Sequence, residues 1–243
     1  EYIKDQERGF EYKEDLYVPG YFELPIKKGE SIIFSAGVGE IKPRSLASMY
    51  NKEIGMRTCR TSFFNCLKNS AQQFYLKRGK DNYLLAGYPW FKVRARDSFI
   101  ALPGCTLAIG DQNMFEAIMN TAEKALKHFM ATGESDTVIQ EIDTPDTLLW
   151  CIWALQQYAK ETSLNTCAAK YGKFIESIIE YIRKGKHPNL FLHENGLLYS
   201  NGKEKVISWM NSARYGHPII PRSGYLVEFN ALWYNALRFA ASI

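Results

Sequence analysis

The stretch TLLWCIWALQQY, residues 147–158, decides the fold. Apolar side chains occupy nearly every helical position in it. The acidic and threonine residues before it (Asp143, Thr144, Asp146) suit a helix N-terminus, where side-chain oxygens and negative charge meet free N–H groups. A helix that is apolar almost all round is buried almost all round. Its neighbours must then be helices too, and concentric layers accommodate such an element better than a simple bundle.

Working outward, the 3.6-residue period recurs. Residues 62–76 place Phe63, Leu67 and Phe74 on one face, with Gly79 as the expected stop. Residues 97–109 start a helix that Pro103 should kink or break. Residues 112–130 carry Phe115, Ile118, Met119, Ala122, Leu126 and Phe129 at helical spacing, and residues 166–184 carry Ala169, Phe174, Ile178, Ile179 and Ile182. Residues 227–242 form the last helix, which gives about six in all. The segment between, residues 187–222, is long and rich in Gly, Asn, Pro and Ser, as functional loops are. Residues 1–45 read differently. Pro and Gly punctuate short runs such as 21–24 and 31–35, and KKGE resembles a turn, so a few β-strands are expected there. A strand pair this short cannot bury its own face and must lean on other structure. The expected class is mainly α, preceded by a short β segment.

The 243 residues suffice for one large domain or a domain with an appendage. Hydrophobic residues make up 46 % and charged residues 23 %, the composition of a globular chain rather than a disordered one. Aromatics reach 14 %; rings fill cores, and they also stack on sugars. The net charge of +4 is spread out, without a basic run for nucleic acid. Five cysteines without a CxxC pair read as free thiols in a reducing, cytoplasmic compartment. No apolar run reaches the ~20 residues that span a bilayer. The four histidines (128, 187, 193, 217) lack metal-ligand spacing and read as surface or loop residues. There is no GxSxG, P-loop or GxGxxG, and no cofactor is implied.

Three clusters could carry chemistry. Arg96 and Asp97 follow Tyr88-Pro89-Trp90-Phe91. An Arg–Asp pair beside a Trp can hold vicinal hydroxyls by charge-assisted hydrogen bonds, or it can simply cap a helix. Glu141, Asp143 and Asp146 lead into the 147–158 helix. Close acids that face one cleft raise one pKa, as a general acid requires, but they serve equally as caps. Trp209 precedes a third group, in which Arg222 is the natural partner of Glu228 in an otherwise apolar helix entry that also holds Asn230. A buried structural ion pair is the plain alternative.

Taken together, AGYPWFKVRARDSFIALPG, DTPDTLLWCIWALQQY and ISWMNS…PIIPRSGYLVEFNALWYNAL resemble the glycogen debranching enzymes in their amylo-α-1,6-glucosidase domain, and ERGFEYKEDLYVPGYFE resembles the end of the β-rich domain before it. The resemblance implies an (α/α)6 toroid, with residues 46–243 as its N-terminal half and residues 1–45 as the end of a β-rich domain or a linker. It implies a glycoside hydrolase that releases α-1,6-linked glucose at glycogen branch points with inversion. The partner is glycogen or another branched α-glucan. It makes Arg96 and Asp97 the grip on the terminal glucose and Trp90 a nearby wall. Asp146 becomes the general acid by position, with Asp143 as a competitor. Trp209, Arg222 and Glu228 shape the binding site. The base is expected beyond Ile243, so this part alone should be inactive, and half a toroid should self-associate through its uncovered faces. Asn211 stands where the family has Asp, and Ala95 where Gly is common before the Arg-Asp pair. Two other readings stay open: a non-catalytic glucan-binding module, and a related toroid enzyme of glucoamylase or trehalase type.

Overall fold

The computed structural model describes residues 1–88 and 90–243; Pro89 of the YPWF run lies outside the described residues. The chain divides into two compact units, Glu1–Cys66 and Leu67–Ile243.

The first unit holds α1 (Ile3–Glu7) and α2 (Leu46–Met56), joined by an extended segment that contains no strand. The strands expected in residues 1–45 are absent. Tyr17, Tyr21, Phe22 and Phe34 are exposed, so no face is covered that could fix a strand register. Residues 46–56, which the sequence reading left unassigned, are helical, although α2 buries none of its side chains.

The second unit is mainly helical. α3 (Phe63–Gln72) enters it and is followed by an antiparallel hairpin, β1 (Tyr75–Arg78) with β2 (Asp81–Leu84). Gly79, at φ +61°, makes the hairpin turn rather than ending a helix. β3 (Val93–Arg94) leads directly into α4 (Ala95–Cys105), which contains Pro103 and passes into a 3-10 turn over Leu107–Ile109. α5 (Gln112–Thr132) starts where the Asp111 carboxylate accepts from the Met114 N–H at 3.1 Å and ends at left-handed Gly133. β4 (Ile139–Gln140) runs parallel to β3, with Gln140 opposite Arg94. α6 (Pro145–Glu161) and α7 (Leu164–Arg183) follow, α7 capped by the Ser163 hydroxyl on the Thr166 N–H at 3.0 Å. The long connection expected at 187–222 is built from two small hairpins, β5 (Leu190–Leu192) with β6 (Leu198–Ser200) and β7 (Ala213–Arg214) with β8 (His217–Pro218). α8 (Val227–Ala240) is the last helix.

α6 is the axis of this unit and packs against α4, α7 and α8. Leu148, Leu149, Cys151, Ile152, Ala154, Leu155 and Tyr158 are buried along it, while the stripe of Trp150, Trp153 and Gln157 is partly exposed. Phe115 of α5 stacks on Tyr158 at 5.1 Å, and Tyr171 of α7 meets Tyr158 edge-on at 5.6 Å. The Tyr158 hydroxyl donates to Glu116 at 2.5 Å, and Lys170 also donates to Glu116, so one carboxylate links α5, α6 and α7. No described helix is long and apolar enough to cross a membrane.

Candidate active site

The packing of α4 on α6 brings together two residues 50 positions apart. Arg96, in the first turn of α4, and Asp146, in the first turn of α6, are 3 % and 1 % exposed. Arg96 Nε donates to Asp146 Oδ2 at 2.5 Å and Nη2 donates to Asp146 Oδ1 at 3.0 Å. The fork geometry is the strongest that a guanidinium and a carboxylate form. Nη2 also reaches the Thr144 hydroxyl at 3.2 Å, and Nη1 reaches Glu141 Oε2 at 3.4 Å. Of the five N–H donors of a guanidinium, one Nη1 hydrogen is left without an acceptor among the described residues. Burial pulls the Arg96 pKa down, but the hydrogen bonds and charge of Asp146, with Glu141 and Asp97, more than offset it and leave it above its ordinary value.

Around this pair the first turn of α6 is a hydroxyl cluster. Thr144 Oγ1 and Thr147 Oγ1 lie 2.8 Å apart and 3.0 and 3.1 Å from the Glu141 carbonyl oxygen, so their two protons serve two of these three contacts. Glu141 Oε1 pairs with Arg94 Nη2 at 2.7 Å. Arg94 and Glu141, which were not singled out as binding residues in the sequence, thus complete a polar assembly of Arg94, Arg96, Glu141, Thr144 and Asp146. The parallel pairing of β3 with β4 places them side by side, and no sequence pattern announces a two-residue parallel ladder.

The other candidate residues fall in separate places. The Asp97 carboxylate is half-buried and makes no hydrogen bond with any described residue; its charge acts on Arg96. Trp90 is 75 % exposed. Asp143 turns to Lys205 at 3.0 Å, which ties the 201–212 loop to the start of α6. In that loop Ile207 and Ser208 are buried, and they hold Trp209 out, 61 % exposed. Asn211 is half-buried, and its side chain bonds no described residue. Arg222 pairs with Glu228 in the first turn of α8, the partner expected from sequence, though both side chains are only half-buried. The Arg222 Nε is shielded from solvent and donates to nothing among the described residues. Asn230 is a structural anchor: its side-chain oxygen accepts from the Leu198 N–H at 2.8 Å and its NH₂ donates to the Leu198 carbonyl at 3.0 Å, fastening α8 to β6. Gly202 lets the Arg222 main chain approach closely; a Cβ there would lie 2.3 Å from the Arg222 carbonyl oxygen. No hydrogen bond or ion pair among the described residues joins the Arg222–Glu228 pair to the Arg96–Asp146 pair.

His187 lies in a loop, as expected, but not at the surface. It lies in the loop after α7 but is 1 % exposed, packed against Phe129 and Tyr181, with Nδ1 accepting from the Asn189 N–H at 3.1 Å. Burial pushes its pKa down to about 4, and the Asp143 main chain offsets this only in part.

Residues 69–243 match the family model described as Amylo-alpha-1,6-glucosidase, and residues 1–33 match the one described as Glycogen debranching enzyme N terminal. No curated protein and no solved structure matches the chain. The first match begins three residues into the second unit and runs through every element that carries the site, so the chain belongs to the amylo-alpha-1,6-glucosidase family of glycogen debranching enzymes.

Proposed function

We propose that this chain forms the glucose-gripping side of a glycosidase cleft that hydrolyses α-1,6-linked glucose at the branch points of glycogen or a similar α-glucan, and that its helices belong to an (α/α)6 toroid. One observation carries the reading: within the family-matched region, a buried Arg–Asp fork lies beside an uncommitted carboxylate, Asp97. A guanidinium held rigid on one edge offers its remaining N–H to a hydroxyl. A carboxylate without a protein donor accepts from the adjacent one. Trp90 and Trp209, both exposed, supply faces for sugar rings. Glu228 and Arg222 form a second polar pair.

Asp146 remains the proposed proton donor, with a requirement that its surroundings impose. Both of its oxygens accept from Arg96, so it presents no proton outward until that fork opens. Breaking a buried pair costs about 3–5 kcal/mol, and sugar hydroxyls that take over Arg96 would offset it. Freed of Arg96, the Asp146 carboxylate takes up a proton from water and gives it to the leaving oxygen, while a water attacks the anomeric carbon from the opposite face and yields its proton to a carboxylate base ~6.5–9.5 Å away. Asp143, paired with Lys205, is the competing candidate.

The same locked fork favours a second reading, a glucan-binding module without a proton donor. One experiment separates them. In the full-length protein acting on a branched α-glucan, Asp146→Asn lowers kcat by about 10²–10⁴, whereas Asp97→Asn chiefly raises KM, with circular dichroism confirming the fold of each. A near-wild-type rate for Asp146→Asn removes the acid assignment. Wild-type binding without glucose release supports the binding module.

A further inference from the structure

Glu141 is one of two non-glycine residues at positive φ among the described residues, at +59°. In that region Cβ crowds the backbone, and a glutamate gains nothing from it locally, unlike Asn, whose side chain bonds its own turn. The strained turn is fixed from both sides. Ahead of it, β4 is zipped to β3 with Gln140 opposite Arg94. Behind it, the Glu141 carbonyl accepts from the Thr144 N–H at 3.2 Å and meets the Thr144 and Thr147 hydroxyl pair at 3.0 and 3.1 Å, which fastens it to the start of α6. The result of the left-handed turn is the placement of one carboxylate between two arginines, Arg94 Nη2 at 2.7 Å and Arg96 Nη1 at 3.4 Å. Arg96 does not need this carboxylate for neutralisation, because Asp146 already supplies that. Arg94 does: 27 % exposed, it has Glu141 as its ion partner. Strain of this kind persists where the surroundings over-determine it, and it gathers at working sites.

We propose that Glu141 is a positioning residue for the sugar-gripping arginines, a role that rests on the functional reading above. It fixes the solvent-facing Arg94 so that its free N–H groups meet substrate hydroxyls. It also keeps a hold on Arg96 Nη1 when substrate draws the guanidinium away from Asp146. Loss of its charge therefore weakens binding more than chemistry. In the full-length protein acting on a branched α-glucan, Glu141→Gln is expected to raise KM about tenfold with kcat changed less than about threefold. Glu141→Asp, a shorter carboxylate, recovers part of the loss. Glu141→Gly is the control for folding. It relieves the left-handed backbone, so it melts at a higher temperature than Glu141→Gln while its KM stays as high. A purely structural Glu141 would show lowered melting temperatures with KM and kcat unchanged, and that result overturns the proposal. So does a fall in kcat at unchanged KM, which would make Glu141 catalytic in its own right. A wild type that releases no glucose overturns the functional reading itself and this role with it, whereas an active wild type with indifferent Gln and Gly variants overturns this role alone.

Discussion

His187 is a base kept neutral by its surroundings, and that has a sign that can be checked. Its pKa is about 4 in the folded chain against 6.5 when free, so below 6.5 the unfolded chain binds a proton that the folded chain refuses. Stability is therefore fully present above pH 6.5 and is lost as pH falls toward 4. The loss is about 1.4 kcal/mol per unit, or about 3 kcal/mol over the window. Thermal melts between pH 4 and 7 should show this slope in the wild type and a flatter one in His187→Gln; parallel slopes would place the acid lability elsewhere. The same residue shows a limit of sequence reading. A histidine in a loop looks like a surface residue, and only the rings of Phe129 and Tyr181, brought in from α5 and α7, bury it. Arg96 and Asp146 were both legible as candidate residues. Their pairing was not, because it depends on how two helices far apart in sequence cross.

The helix starts of α4 and α6 carry a buried charge pair whose energetics differ from those of a cap. Removing one partner strands the other charge, so Asp146→Asn should cost about 3–5 kcal/mol of stability, whereas replacing both with apolar residues of similar volume should cost little or even stabilise. In denaturant melts, Arg96→Met combined with Asp146→Leu should be more stable than either single variant; strict additivity of the singles would show that the pair is not coupled. At this scale the sequence was most readable where the periodic pattern was long. α5, α6, α7 and α8 lie within three residues of their expected ends, because broad apolar stripes, helped in α5 and α7 by the Asp111 and Ser163 caps, leave no competing register. It was least readable where pairing is short. The helix expected over residues 62–76 runs into the start of β1, since Tyr75 and Leu76 continue the apolar pattern and Gly79 serves equally as a helix stop or a hairpin turn. The strands expected before residue 45 failed for the converse reason: alternating runs without a covered face do not form a sheet.

For the whole molecule, the family match from residue 69 covers the Arg96–Asp146 assembly, Trp209 and the Arg222–Glu228 pair, so the proposed site lies within the matched region. Family membership was legible from three ordered motifs, each too weak alone to exceed a cap or a core helix. The reaction is a property of the assembled cleft, and the account stands or falls on linkage. The direct measurement is the initial rate of glucose release by the full-length protein from an α-glucan trimmed to single α-1,6-linked stubs, set against a linear α-1,4 chain of equal glucose content. The account predicts release from the stubs well above release from the linear chain. Equal or faster release from the linear chain, or tight binding of the stubs with no release, would contradict it.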